Sequence, residues 1–132
     1  MVLIDSNVWI EFLRRPDEQT GRSLYALLAD AQACVVGIVI AEVLQGARNL
    51  EDYEKLRRGF GAAEYVEMDR SVWERVGHLS MQLKLAGTPV ALTDLAIAAT
   101  ALDRQYEVFT LDKDFTKIPG LRLYKPEGDA DA

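Results

Sequence analysis

Short apolar runs alternate with longer amphipathic segments along most of this chain. The clearest runs are Val2-Leu3-Ile4 and Cys34-Val35-Val36, and each is followed by apolar residues at helical spacing. Strands that alternate with helices pair in parallel, because each connecting helix crosses over one face of the sheet. The pattern therefore predicts an α/β fold with a central, mainly parallel sheet flanked by helices.

The same alternation continues to the end of the chain. Further strands are predicted at 64–67, 107–110 and 121–124. Helices are predicted at about 8–13, 17–30, 38–48, 50–60, 71–86 and 93–102, with Asn49 as the cap of the fourth. The fifth helix has the clearest limits, because Ser71-Val72-Trp73-Glu74 matches a capping box and Gly87-Thr88-Pro89 matches a helix stop.

The length of 132 residues is that of one ordinary domain. Apolar residues make up 49% and charged residues 27% of the chain, which is enough to bury a core and disfavours disorder. We expect residues 1–126 to form this single domain and the small, acidic residues 127–132 to form a frayed tail. The longest apolar stretch, from Ala33 to Ala41, is too short to span a bilayer, so we expect no membrane segment.

The net charge, the single cysteine and the single histidine exclude or disfavour several classes of function. Fifteen basic and 21 acidic residues give a net charge of −6, which disfavours a protein that binds nucleic acid by surface charge alone. One cysteine, Cys34, excludes a disulfide framework within the chain and a zinc site built on several thiolates, and it fits a reducing cytoplasm. One histidine, His78, falls on the polar side of its helix, which argues against a histidine-activated nucleophile.

A few acidic residues stand out by position rather than by type. Asp5 follows the first strand, Asp94 opens an alanine-rich helix, and Asp112 follows a later strand, with Asp114 two residues on. Because the carboxyl ends of parallel strands lie at one edge of the sheet, these acids can converge although they are far apart in sequence. Glu42 interrupts an apolar segment, where a carboxylate without compensation is costly. We therefore expect a neutralising partner for Glu42.

Each acid except one has an ordinary structural explanation. Asp5 and Asp94 stand near the starts of helices, where a carboxylate caps the backbone and is favoured by the helix dipole. Asp112 and Asp114 suit a solvated turn. Glu42 has no such explanation, because its neighbours are apolar and the nearest basic residue is six positions away. The combination of acids favours function more strongly than any single one.

Several carboxylates in one cleft require a cation. With almost no histidine or thiolate to offer, the ligands would be oxygen atoms, which favours Mg²⁺ or Mn²⁺ over zinc or copper. Such a site indicates phosphoryl transfer to water.

Four segments, in this order and spacing, resemble PIN-domain ribonucleases and in particular bacterial VapC-type toxins. They are Val2-Leu3-Ile4-Asp5-Ser6-Asn7-Val8, Ala41-Glu42-Val43-Leu44-Gln45-Gly46-Ala47, Thr93-Asp94-Leu95-Ala96-Ile97-Ala98-Ala99 and Thr110-Leu111-Asp112-Lys113-Asp114-Phe115. The resemblance covers essentially the whole chain. It implies a three-layer α/β/α sandwich and an endoribonuclease that depends on Mg²⁺ or Mn²⁺ and acts as the toxin of a type II toxin-antitoxin system.

The resemblance also implies roles for particular residues. The metal-binding and catalytic quartet would be Asp5, Glu42, Asp94 and Asp112, with Asp114 as an additional acid. Supporting hydrogen bonds would come from Ser6, Asn7 and Thr110. The spacing of Asp112 and Asp114 allows either to be the fourth ligand, and Asp112 ranks first. The implied partners are RNA, a second copy in a homodimer, and a VapB-type antitoxin whose tail occupies the cleft.

Other functions fit less well. A phosphatase with an aspartyl nucleophile expects a second aspartate two residues after the first, where this chain has Asn7. A phosphate-accepting receiver domain expects paired acids near the first strand, where Asp5 stands alone. A PIN-like scaffold that binds RNA or protein without cleavage remains the non-enzymatic alternative. Eight basic residues are available to RNA phosphates, and the sequence alone assigns none: Arg14, Arg15, Arg48, Lys55, Arg57, Arg58, Lys113 and Lys117.

Overall fold

Four short strands form one parallel sheet in the computed structural model, which describes residues 1–126. The strands are Val2–Ile4 (β1), Ala33–Val36 (β2), Glu64–Val66 (β3) and Glu107–Phe109 (β4). Their order in the sheet is β3-β2-β1-β4, so β1 is central, with Leu3 paired to Cys34 on one side and to Val108 on the other. The predicted parallel sheet is confirmed. The predicted tail at 127–132 lies outside the described residues.

Six α-helices cover the sheet and complete the predicted three-layer α/β/α sandwich. They are Ser6–Arg14 (α1), Gln19–Ala29 (α2), Gly37–Leu44 (α3), Leu50–Gly59 (α4), Arg70–Leu85 (α5) and Leu92–Arg104 (α6). Two 3₁₀ turns, Phe60–Ala62 and Lys113–Lys117, follow α4 and β4. Between residues 1 and 126, no helix has the length and apolar character needed to cross a membrane.

The core is densest around β1 and α6. All three residues of β1 are buried, and α6 carries an unbroken buried run from Leu95 to Ala101. Small alanine side chains let this helix approach its neighbours closely, and α6 packs along α5. Trp9 of α1 is also fully buried and meets Phe60 edge to face, with 4.8 Å between the ring centroids. The central strand is thereby fixed rigidly, and so is the residue that follows it.

Most predicted boundaries agree with the structure to within two residues, and two helix boundaries differ in an informative way. The helix predicted to start with a capping box at Ser71 starts at Arg70, because Asp69 is the cap: its Oδ1 accepts the Val72 N–H at 3.1 Å and the Ser71 hydroxyl at 2.7 Å. The helix predicted to reach residue 48 ends at Leu44, where the chain tightens into short turns.

The strand predicted at 121–124 is reduced to a single bridge between Leu123 and Val108. Pro126 follows closely and has no N–H to extend a ladder of hydrogen bonds. The predicted Asn49 cap is confirmed, since its Oδ1 accepts the Asp52 N–H at 2.8 Å.

The single cysteine and the single histidine lie where the sequence predicts. Cys34 is a buried free thiol in β2 that donates to the Val2 carbonyl at 3.3 Å, and burial raises its pKa to about 11. A thiol of this kind is nearly always protonated and poorly reactive. His78 is exposed on α5, on the polar side of that helix.

A substitution at Gly21 tests how closely α2 packs against the chain at the end of α1. A Cβ atom at Gly21 would lie 2.8 Å from the Arg15 carbonyl oxygen and 2.9 Å from Pro16 Cα, both backbone atoms that cannot rotate away. Gly21→Ala is therefore expected to lower the free energy of unfolding by about 1–3 kcal/mol, measured by urea denaturation. The control is Gly61→Ala, because a Cβ there meets nothing within 4 Å. Equal stabilities of the two variants would contradict the close approach.

Candidate active site

Asp5 is held at the carboxyl end of the central strand by three hydrogen bonds. Its side chain is only 3% exposed. One oxygen, Oδ1, accepts the Ser6 N–H at 2.7 Å and the Ser6 hydroxyl at 3.4 Å, and the other, Oδ2, accepts the Thr110 hydroxyl at 2.7 Å. Asp5 is thus the N-cap of α1, the structural role that the sequence allows for it. The same hydrogen bonds fix the direction of its carboxylate.

Two predicted supporting residues connect the loop after β1 to the loop after β4. The Thr110 hydroxyl donates to Asp5 and accepts the Asp112 N–H at 3.0 Å. From the other side, the Asn7 side-chain oxygen accepts the Leu111 N–H at 3.2 Å. The segment from Thr110 to Asp112 is therefore positioned directly by residues 5 and 7, although about a hundred residues separate them in sequence.

Three of the predicted acids form a close group. One carboxylate oxygen from each of Asp94, Asp112 and Asp114 lies within 4.8 Å of the others, a spacing at which one cation can contact all three. Asp112 Oδ1 also accepts the Asp114 N–H at 2.9 Å, and Asp114 is paired with Lys117 Nζ at 3.1 Å. Both residues of the Asp-x-Asp pair therefore belong to the group.

Glu42 reaches the same region from α3. Its Oε1 is buried and accepts no hydrogen bond from any residue between 1 and 126. Burial and the negative charge of Asp5 raise the pKa of Glu42, and the Ser6 hydroxyl partly opposes this. A buried carboxylate oxygen without a partner is costly, and a bound cation removes that cost.

Electrostatics connects Asp5 and Glu42 to the group of three. The pKa of Asp94 is raised to about 6, first by burial and then by the negative charges of Asp5, Asp112, Glu42 and Asp114. Burial and Asp112 also raise the pKa of Asp5, against the lowering effect of its hydrogen bonds. All five predicted acids therefore share one electrostatic environment, with two of them outside the closest group.

The ion pair between Arg14 and Asp52, beside the site, could not be predicted from the sequence. Asp52 is only 7% exposed and accepts two hydrogen bonds from the Arg14 guanidinium, at 2.9 and 3.0 Å, and one from the Arg48 N–H at 3.0 Å. The Arg14 guanidinium holds the pKa of Asp52 well below its usual range. Arg14 lines a cavity of about 170 Å³ together with Glu42, so the ion pair lies against the site.

The sequence profile described as "PIN domain" matches residues 2–121, nearly the whole described structure. The chain belongs to the PIN domain family. The PIN fold predicted from four sequence segments is thereby confirmed. No curated protein sequence matches the chain significantly.

Solved structures with the same PIN fold include chains of toxin-antitoxin complexes. One is from VapBC2 of Rickettsia felis bound to a promoter DNA fragment, with 22% identity and a TM-score of 0.82 over 94% of this chain and 98% of that one. Another is from DNA-bound VapBC of Salmonella typhimurium, with 26% identity and a TM-score of 0.79 over 93% and 96%. A third is from a toxin-antitoxin complex of Klebsiella pneumoniae, with 27% identity and a TM-score of 0.73 over 92% and 95%.

Asp94→Asn is expected to stabilise the metal-free PIN domain in a pH-dependent way. Because the folded-state pKa is raised from 3.8 to about 6, the folded protein binds more protons than the unfolded chain in this window, and wild-type stability falls as pH rises through it. Asparagine removes this loss, so the variant should gain about 1 kcal/mol over wild type at pH 7.5 and little at pH 4, after discounting for solvent screening.

The measurement is urea denaturation in EDTA at both pH values. Asp17→Asn, at an exposed position in the turn before α2, is the control and should show no such gain. A difference between Asp94→Asn and wild type that is equal at both pH values would contradict the predicted charge repulsion.

Proposed function

We propose that this PIN domain is a metal-dependent endoribonuclease and the toxin of a type II toxin-antitoxin pair, acting in the cytoplasm. The observation that carries the proposal is the convergence of five carboxylates at one edge of the sheet, including a buried Glu42 oxygen that has no hydrogen-bond partner within the described part of the chain. Mutual repulsion of this size serves no structural purpose. It is compensated when a divalent cation is bound, and that cation would in turn attract a substrate phosphate.

The donor set fits Mg²⁺ or Mn²⁺. Asp94, Asp112 and Asp114 offer oxygen atoms at the spacing of a shared cation, with Asp5 and Glu42 beside them. A hard ion held here supplies a polarised water and positive charge opposite the scissile phosphate. We propose Asp5, Glu42, Asp94 and Asp112 as the metal-binding and catalytic quartet, with Asp114 as an additional acid.

The surrounding residues keep these acids in place. Thr110 and Ser6 donate hydrogen bonds to Asp5 and thereby set the direction of its two oxygens. Asn7 holds the backbone at Leu111, so the loop that carries Asp112 does not drift away from β1. Fixed carboxylates cost little reorganisation when substrate binds, which is what electrostatic catalysis requires. Ser6, Asn7 and Thr110 are therefore positioning residues in this proposal.

We further propose a VapB-type antitoxin as the protein partner. The support is the similarity to chains that were crystallised in VapBC and other toxin-antitoxin complexes. The cavity between Arg14 and Glu42 opens next to the acids, so a peptide tail seated there blocks access to the phosphate.

A homodimer is the proposed quaternary structure. The support is an apolar ridge on the outer face of α5, made of Trp73, Gly77, Met81 and Leu85 at every fourth position. Its three side chains are 49%, 50% and 81% exposed in sequence order. A straight i, i+4 ridge suits packing against the same ridge of a second copy, and Gly77 leaves room for a large side chain.

Metal-dependent cleavage is the central prediction. Purified protein should cut total cellular RNA at discrete positions with Mg²⁺ or Mn²⁺ but not with EDTA. Asp5→Asn/Asp94→Asn should lower the single-turnover rate by more than about 100-fold, since it removes two of the acids proposed to hold the ion. Mass spectrometry must first show that no antitoxin accompanies the protein.

The matched control carries Asp17→Asn/Asp30→Asn, which removes two exposed acids outside the site and should cleave like wild type. Cleavage that persists in EDTA or in the folded site variant would overturn the proposed mechanism. Failure of wild type to cleave with either metal would leave the chain as a binding scaffold.

The proposed dimer predicts that Met81→Glu weakens self-association by at least about tenfold, because it places a charge in the centre of an apolar contact. Sedimentation velocity over a concentration series measures this. Gln82→Glu, on the same helix but outside the ridge, should have little effect. A wild-type protein that stays monomeric throughout the series would exclude this surface as a dimer contact.

A further inference from the structure

The eight basic residues that the sequence offers to RNA phosphates differ in whether a carboxylate already binds them in the structure. Four of them are occupied by carboxylates at 3.1 Å or less: Arg14 by Asp52, Arg15 by Glu11, Arg57 by Glu54, and Lys117 by Asp114. Of the other four, Lys113 lies within the loop that carries the acids. The remaining three are Arg48, Lys55 and Arg58, and they lie together.

These three residues line one depression of about 390 Å³, shared with Asn49, Glu51 and Asp52. Lys55 and Arg58 are exposed on α4 and make no salt bridge with any residue between 1 and 126. The Arg48 side chain is 72% exposed, and its Nε makes one long ionic hydrogen bond of 3.5 Å to Asp52 Oδ2, which leaves the other guanidinium N–H groups open to a ligand. We call this depression the basic pocket.

The two acids in the basic pocket do not cancel its positive charge. Asp52 accepts both hydrogen bonds of the Arg14 guanidinium, so its negative charge is already balanced. Glu51 is then the one remaining negative charge against Arg48, Lys55 and Arg58. The basic pocket is therefore a locally positive surface on a chain with a net charge of −6.

The basic pocket lies next to the acids. Asp52 forms part of its wall, and its partner Arg14 lines the neighbouring cavity that contains Glu42. A single ion pair thus separates the positive surface from the carboxylate. Arg14 and Asp52 are fixed by two parallel hydrogen bonds, so the distance between the two regions is held constant.

We propose that the basic pocket binds the backbone of an RNA strand at a phosphate flanking the one cleaved, an inference that rests on the proposed nuclease function. A strand that approaches the acids meets net repulsion, and a fixed group of cations beside them offsets it. Arginine suits this role because its planar guanidinium binds two phosphate oxygens at once. Binding through phosphates is independent of base sequence.

The test uses the full chain carrying Asp94→Asn, so that RNA is bound without being cut. Binding of a fluorescein-labelled single-stranded RNA of 20 nucleotides is followed by anisotropy over a series of salt concentrations. Adding Lys55→Ala/Arg58→Ala should weaken binding about tenfold or more at low salt and reduce the slope of log K against log salt by about 1 to 2. Both side chains are exposed, so thermal unfolding should be unchanged.

The control adds Arg75→Ala/Lys84→Ala instead, which removes the same charge from exposed positions on α5. Equal losses of affinity in the two double variants would overturn the inference, because net charge alone would then explain binding. Retention of wild-type affinity and slope by Lys55→Ala/Arg58→Ala would overturn it as well. A protein that binds polyglutamate at the pocket but no RNA would also overturn it.

Cleavage kinetics distinguish this inference from the proposed function. In a chain with its acids intact, Lys55→Ala/Arg58→Ala should raise KM about tenfold and leave kcat nearly unchanged, since the phosphate bound there is not the one that reacts. An active wild type with an unchanged KM in the variant would overturn only the inference. If the wild type does not cleave RNA, but Lys55→Ala/Arg58→Ala still weakens RNA binding, the result would support RNA binding at the basic pocket and overturn the proposed nuclease function.

Discussion

The hydrogen bond from the Thr110 hydroxyl to Asp5 is the contact on which the site depends. It joins the residues that follow two neighbouring strands, β1 and β4, at the same edge of the sheet. The same hydroxyl accepts the Asp112 N–H, so one side chain positions two acids. Because all residues of β1 are buried, the segment that carries this hydrogen bond is held in place by the packing of the core. A set of like charges stays close together here because the backbone that carries them cannot relax apart.

Much of this arrangement follows from local sequence. Asp5 stands directly after β1 and Asp112 stands three residues after the end of β4, and the parallel order of those strands is sufficient to bring them to one edge. Glu42 is identifiable because its neighbours are apolar, and no residue between 1 and 126 donates a hydrogen bond to its buried Oε1. The sequence ranks Asp112 ahead of Asp114 as the fourth ligand, whereas in the structure both belong to the group around Asp94.

Long-range pairing explains most of what the sequence did not reveal. Arg14 and Asp52 are 38 residues apart and each looks like an ordinary charge on the polar face of a helix. Only the packing of α4 beside α1 and α3 buries Asp52 and turns the pair into a wall between two surfaces. The misplaced start of α5 has a local cause instead. Asp69 and Ser71 are both residue types that commonly cap helices. Asp69 is the cap here because its side chain accepts the Val72 N–H in the first turn of α5.

The repulsion among the site acids also bears on which variants of this chain persist. Most substitutions cost a protein some stability, and this cost helps selection to remove damaged copies. At Asp94 and Glu42 the relation is reversed, because loss of a charge relieves repulsion within the folded chain. As long as no cation is bound, a chain with a neutral residue there is expected to fold at least as well as its parent. Quality control by chaperones and proteases, which acts on unfolded chains, would then not remove such variants, and these carboxylates would be maintained by what they do rather than by their effect on stability.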